Sequence, residues 1–136
     1  LIEGAAEGAG LGHQFLRHLA RTRLLLHLVD IAPLYEDDNP VAEATTILQE
    51  LKKYDQSLYE KPRWLLLNKT DLLEDCDSVV NSFIQEFSDY DRYFVISAIS
   101  GEGCKELTYA IMKHLQQMAI QEETAISDTQ SATYNP

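Results

Sequence analysis

Four consecutive polar residues, Asn68, Lys69, Thr70 and Asp71, follow directly after the largely apolar run of residues 63–67. An ionised carboxylate such as that of Asp71 accepts two parallel hydrogen bonds from neighbouring N–H groups. Guanine presents such a pair, because its ring N–H and its exocyclic amino group lie side by side, whereas adenine does not. The string therefore predicts a nucleotide-binding loop in which Asp71 recognises a guanine base.

The two residues at the start of this string suit the same chemistry. Asn68 can donate its side-chain amide to the base, or it can tie this loop to a neighbouring one. The four-carbon stem of Lys69 can lie flat over the ring. The alternative is an ordinary surface turn, since Asn and Asp favour turns and Lys is commonly solvated. The position of the string at the end of a strand favours the binding loop.

A second group of candidate residues, Ser97, Ala98 and Ile99, follows the next apolar run, residues 92–96. A small residue such as Ala98 lets its backbone N–H approach the keto oxygen of a base, and the hydroxyl of Ser97 can brace the loop. This short string is a weak signal by itself. It becomes a strong one beside the Asn-Lys-x-Asp loop, because both loops leave the same edge of a parallel sheet.

Helices and strands, which must position these loops, alternate along the chain. Unbroken apolar runs are typical of strands covered on both faces of a parallel sheet, and apolar residues at helical spacing predict helices. The alternation of helices and strands predicts an α/β fold in three layers, in which a parallel sheet carries helices on both faces. Ligands of such a fold bind at the carboxyl ends of the strands. Strands are predicted at residues 24–29, 63–68 and 92–97, and helices at 11–19, 41–54, 79–87 and 107–118.

The charge balance argues against direct nucleic-acid binding by this chain. Its 136 residues include 11 Lys and Arg against 22 Asp and Glu, a formal net charge of −11. Non-specific nucleic-acid binding needs the opposite sign, because Lys and Arg release counterions from phosphates. No apolar run approaches the roughly 20 residues of a membrane span, and no secretory signal is evident. Cys76 and Cys104 lack metal-ligand spacing, so a cytoplasmic chain without a metal site of its own is predicted.

The first residues are rich in glycine, with four glycines within residues 3–12. This much backbone freedom predicts a loop that changes shape. A dinucleotide-binding fingerprint with Asp30 as the ribose acid is the alternative, but the third glycine of that motif would fall on His13. His13 could position a water molecule, although a surface or capping histidine is the commoner case.

These segments together resemble the second half of a GTPase domain of the Obg family. The chain opens with LIEGAAEGAGLGHQFLRH and continues with LLHLVD, NKTD and SAIS in that order. The resemblance covers residues 1–119 and is most specific in the opening segment, where other GTPases differ. It implies a P-loop NTPase-like fold of which only the second half is present, with about three strands of the sheet.

The resemblance also implies roles for particular residues. Leu1, Ile2, Glu3 and Gly4 belong to the switch segment that senses the γ-phosphate, and the NKTD and SAIS loops hold the guanine base. Members of the family hydrolyse GTP to GDP with Mg²⁺ as cofactor. They associate with the ribosome and are implicated in large-subunit assembly and stress signalling, so contacts with the large subunit are expected through other domains of the parent protein.

Several family features do not occur in these residues. There is no Gly-x₄-Gly-Lys-Ser/Thr phosphate loop, nor the Thr and Asp that would hold Mg²⁺. Leu1 stands where many small GTPases have a water-orienting Gln, so another group must orient the attacking water. The chain alone is therefore predicted to be inactive, with phosphates and Mg²⁺ held outside it. The alternative is a catalytically silent α/β interaction module that kept the GTPase fold.

The chain divides into two predicted parts. Residues 1–119 form the GTPase half-domain, and residues 120–136, which contain no Lys or Arg and little apolar periodicity, are predicted to be a disordered polar tail. With only three strands, the first strand is expected to leave an apolar edge unpaired. The isolated chain is predicted to be marginally folded or to pair through that edge.

Overall fold

The computed structural model describes residues 12–32, 39–69 and 75–133, and it contains three strands and five helices in these ranges. Their order is that predicted from the sequence, with one short helix added. The elements are α1 (Gly12–Leu19), β1 (Leu25–Asp30), α2 (Pro40–Tyr54), α3 (Gln56–Tyr59), β2 (Arg63–Asn68), α4 (Cys76–Glu86), β3 (Arg92–Ile96) and α5 (Cys104–Thr133).

The three strands form one parallel sheet in the order β1-β2-β3. The register pairs Leu25 with Arg63 and Asp30 with Asn68, and it pairs Asn68 in turn with Ile96. The α/β fold with a parallel sheet is therefore confirmed. Because all three strands run the same way, the loops that follow Asn68 and Ile96 leave the sheet at one edge.

One face of the sheet packs against α2 and α4. Side chains of β1 and β2 on this face join side chains of both helices in a single buried cluster, and Leu65 and Leu67 are completely buried. Burial of apolar surface is the main source of stability in such a layer. The helices contribute Ala44, Leu48, Leu51, Val80 and Phe83 to the cluster, and the strands contribute Leu25, Val29, Leu65 and Leu67.

β1 and β2 differ although both are apolar runs in the sequence. β2 is buried on both faces, with Trp64 and Leu66 only 2% and 5% exposed. β1 alternates instead, and Leu26 and Leu28 are 45% and 57% exposed. The expectation that β1 is covered on both faces is therefore wrong. Among the described residues β1 pairs only with β2, and the open apolar edge stays a prediction.

Local signals explain where the middle helices begin. The Asn39 side chain accepts a hydrogen bond from the Ala42 N–H at 3.1 Å, and Pro40 follows as the first helical residue of α2. The short helix α3 was not predicted. It begins because the Asp55 side chain accepts from the Ser57 N–H at 2.9 Å, which caps a new helical turn directly after α2 ends.

The chain divides into two compact units, and the division falls between Gly103 and Cys104. The second unit is the helix α5, which continues through residues 120–133, whereas a disordered tail was predicted for residues 120–136. Residues 120–127 are exposed, so this extension rests on local backbone bonds. Its Gln, Glu and Ala residues are good helix formers, and neither Gly nor Pro interrupts the segment before Pro136.

Candidate functional site at the carboxyl edge of the sheet

The side-chain amide of Asn68 joins the ends of all three strands. Its Nδ2 donates to Asp30 Oδ1 at 2.7 Å, and its Oδ1 accepts from the Ala98 backbone N–H at 2.9 Å. Of the two roles predicted for Asn68, the structure thus shows the one that ties neighbouring loops together. The Ala98 N–H, predicted to reach a base, donates to Asn68 in this structure.

Lys69 is held to the third strand by its backbone and to the following loop by its side chain. The Lys69 N–H donates to Ile96 O at 2.9 Å, and the Lys69 Nζ lies 3.0 Å from Glu102 Oε1. The Lys69 side chain is only 21% exposed, although its partner Glu102 is 65% exposed. The lysine stem is therefore restrained at the edge where the sequence predicts a flat ring.

The loop that begins at Ser97 is braced from inside. Ser97 is completely buried, and its Oγ accepts from the Ser100 N–H at 3.2 Å, which confirms the predicted bracing by its hydroxyl. The Ser97 N–H donates to Glu102 O at 2.9 Å, and the Ser97 carbonyl accepts from the Gly101 N–H at 2.8 Å. These bonds close the loop on itself. By contrast the Ile99 side chain, also a candidate, is 83% exposed.

Two glycines allow this loop to turn back against the sheet. Gly101 and Gly103 have φ angles of +82° and +78°, in the left-handed region that favours glycine. A Cβ at position 103 would lie 2.5 Å from the Val95 carbonyl oxygen, so no side chain fits there. The loop is consequently held close to the end of β3, with the Glu102 side chain presented toward Lys69.

The structure brings together five of the predicted site residues. The described residues place Asn68, Lys69 and the Ser97–Ile99 loop at one edge. Thr70 and Asp71 lie outside the described residues, as does the predicted switch segment of residues 1–4. The placement of the base-reading carboxylate itself therefore stays a prediction.

Two carboxylates at this edge, Asp30 and Glu102, were not predicted as parts of the site. Asp30 directly follows the strand predicted at residues 24–29, and in the structure it is the last residue of β1 and contacts Asn68 directly. The signal was available: a polar residue that ends a strand in a parallel sheet lies at the same edge as the polar ends of the neighbouring strands. Glu102 carried no signal besides its position between two glycines.

The described residues contain no group of three or more His, Cys, Asp and Glu side chains that could hold a metal ion. Within the same ranges, no helix combines the length and apolar character that crossing a membrane requires. No protein-family model matches this sequence. The resemblance to the Obg family thus stays a prediction from the sequence motifs.

Proposed function

We propose that these residues form the base-recognition half of a guanine-nucleotide-binding domain in an Obg-type GTPase. The observation that carries the proposal is the direct bond between the two motif loops, Asn68 Oδ1 to the Ala98 N–H, at the carboxyl edge of a parallel sheet. Open α/β sheets bind ligands at this edge. A surface turn would not need the neighbouring loop to be fixed to it.

The proposed chemistry assigns one task to each part of the edge. The Asp71 carboxylate accepts from the ring N–H and the exocyclic amino group of guanine. The restrained stem of Lys69 covers one face of the ring. Asn68 and Ser97 hold the two loops at a fixed spacing, so the base does not have to order them when it binds.

The remaining steps of the reaction belong to other residues of the parent protein. We propose that the parent is a cytoplasmic enzyme that hydrolyses GTP to GDP, with the phosphates and Mg²⁺ held outside these residues. As the family resemblance implies, it acts in large-ribosomal-subunit assembly and stress signalling, and its ribosome contacts lie in other domains. The role of the present residues is to select guanine and to hold it in place.

The Asp71→Asn variant of the parent protein tests base recognition. An amide offers one donor and one acceptor where guanine needs two acceptors, so GTP affinity should fall about 100-fold while xanthosine triphosphate gains. Nucleotide titration calorimetry measures both, and Asp77→Asn, an exposed carboxylate on α4, is the matched control. Unchanged affinities for both nucleotides would refute the assignment of Asp71. Absence of any nucleotide binding by the parent would favour the silent interaction module.

Calorimetry of the isolated chain with GDP tests whether nucleotide binding needs the phosphate-binding residues outside this chain. These residues contain no phosphate loop, and positioned contacts to the phosphates provide much of the binding in such proteins. We expect weak binding or none. Submicromolar affinity would show that the present residues suffice for nucleotide binding and would refute this part of the proposal.

A further inference from the structure

The Asp30 carboxylate makes a contact at the carboxyl edge that belongs to neither motif loop. Asp30 is the last residue of β1 and pairs in register with Asn68, the last residue of β2. Its Oδ1 accepts from Asn68 Nδ2 at 2.7 Å, the shorter of the two bonds that the amide makes. A continuous path of hydrogen bonds therefore runs from Asp30 through Asn68 to Ala98 across the whole sheet.

This path permits only one orientation of the Asn68 amide. With Nδ2 toward Asp30 and Oδ1 toward Ala98, each donor meets an acceptor. A reversed amide would set its oxygen against the Asp30 carboxylate and its NH₂ against the Ala98 N–H. Because the Asp30 oxygen accepts at one end of the amide and the Ala98 N–H donates at the other, the two partners together select the observed orientation.

We propose that Asp30 is a positioning residue of the base site. Its carboxylate orients the Asn68 amide, and the oriented amide holds the backbone N–H of Ala98 and hence the second loop. The inference rests on the proposed function, because it concerns the same edge of the sheet. Without an acceptor at position 30, the amide loses the partner of its NH₂ group, and the second loop must be ordered at the expense of binding free energy.

Hydrogen exchange of the 136-residue chain tests the positioning directly. In Asp30→Leu the Ala98 amide should exchange at least about tenfold faster, because its acceptor is no longer held in place. Asp30→Asn should stay within about threefold of the unmodified chain, since its side-chain oxygen still accepts from Asn68 Nδ2. Glu86→Gln, an exposed change on α4, is the control. Equal exchange at Ala98 in Asp30→Leu and in the unmodified chain would overturn the proposal.

GDP affinity of the parent protein provides the second test and separates this inference from the proposed function. Asp30→Leu should weaken GDP binding about tenfold and Asp30→Asn less than about threefold. A loss of affinity in Asp71→Asn with none in Asp30→Leu would overturn the role of Asp30 alone. No loss in either variant would overturn the proposed function itself.

Discussion

The two ends of β2 carry polar clusters that differ in how far they are exposed to solvent. At the amino end, Arg63 is 5% exposed, and its guanidinium donates to the Tyr59 carbonyl at 3.0 Å and to the Asp89 carboxylate at 2.7 Å. The Arg63 backbone N–H donates to Asp91 Oδ2 at 2.9 Å. These bonds attach the start of β2 to α3 and to the turn before β3, and they satisfy a guanidinium that is itself buried, although the Asp89 side chain is 47% exposed.

At the carboxyl end, the corresponding ion pair is open to water. The Glu102 side chain that faces Lys69 is 65% exposed, and Asp30 and Ala98 are also exposed. An exposed ion pair contributes little to stability, whereas removing one partner of a buried charge leaves it unsatisfied. The amino-end cluster therefore stabilises the fold, while the carboxyl-end cluster fixes the two candidate loops relative to each other.

His27 extends the amino-end cluster into the core. It is 8% exposed, it packs edge-on against Phe87, and neither ring nitrogen has a hydrogen-bond partner among the described residues. Burial, followed by the positive charge of Arg63, lowers the pKa of His27 from 6.5 to about 4. The imidazole is therefore neutral in the folded chain at neutral pH.

Asp89→Ala should have the largest effect on stability. It removes the charged acceptor of Arg63 and the acceptor of the Tyr59 hydroxyl, which lies 2.6 Å from Asp89 Oδ2. We expect the free energy of unfolding to fall by about 2–3 kcal/mol, as measured by urea denaturation. Asp77→Ala, an exposed carboxylate without such contacts, should change it by less than about 0.5 kcal/mol. Equal effects of the two variants would contradict the stabilising role of the amino-end cluster.

A pH dependence of intermediate size should come from His27. Its folded-state pKa of about 4 lies below its unfolded value of 6.5, so the unfolded chain takes up the proton first as pH falls. Protonation of His27 in the unfolded chain should lower the free energy of unfolding by about 2 kcal/mol as the pH falls from 7 to 5. Urea denaturation of the unmodified chain and of His27→Leu at both pH values isolates this loss. The same pH dependence in both proteins would contradict the assignment to His27.

Glu102→Gln should have the smallest effect on stability. The Lys69 to Glu102 pair is largely solvated on the glutamate side, so its loss should change the free energy of unfolding by less than about 0.5 kcal/mol. Urea denaturation beside Asp89→Ala gives the sharpest contrast between the two ends of β2. A loss above about 1 kcal/mol would mean that the carboxyl-end pair also stabilises the fold.

Much of the architecture could be predicted from the sequence because its signals are local. The apolar runs ending at Asp30, Asn68 and Ile96 are strands, and Asn39 with Pro40 begins a helix. The short helix capped by Asp55 was missed because one helical turn has no periodicity to detect. The helix beyond residue 119 was missed because a polar composition was weighed above helix propensity.

The sequence by itself determined the order of the elements and which edge of the sheet carries the candidate loops, since strand ends and turns depend on neighbouring residues. Only the tertiary structure decided that β1 is exposed on one face and that Asn68 is oriented by Asp30, 38 residues earlier in the chain. Such pairings depend on strand order and register, which follow from packing the whole sheet against its helices. Hydrogen bonds between distant residues leave no periodic pattern in the sequence.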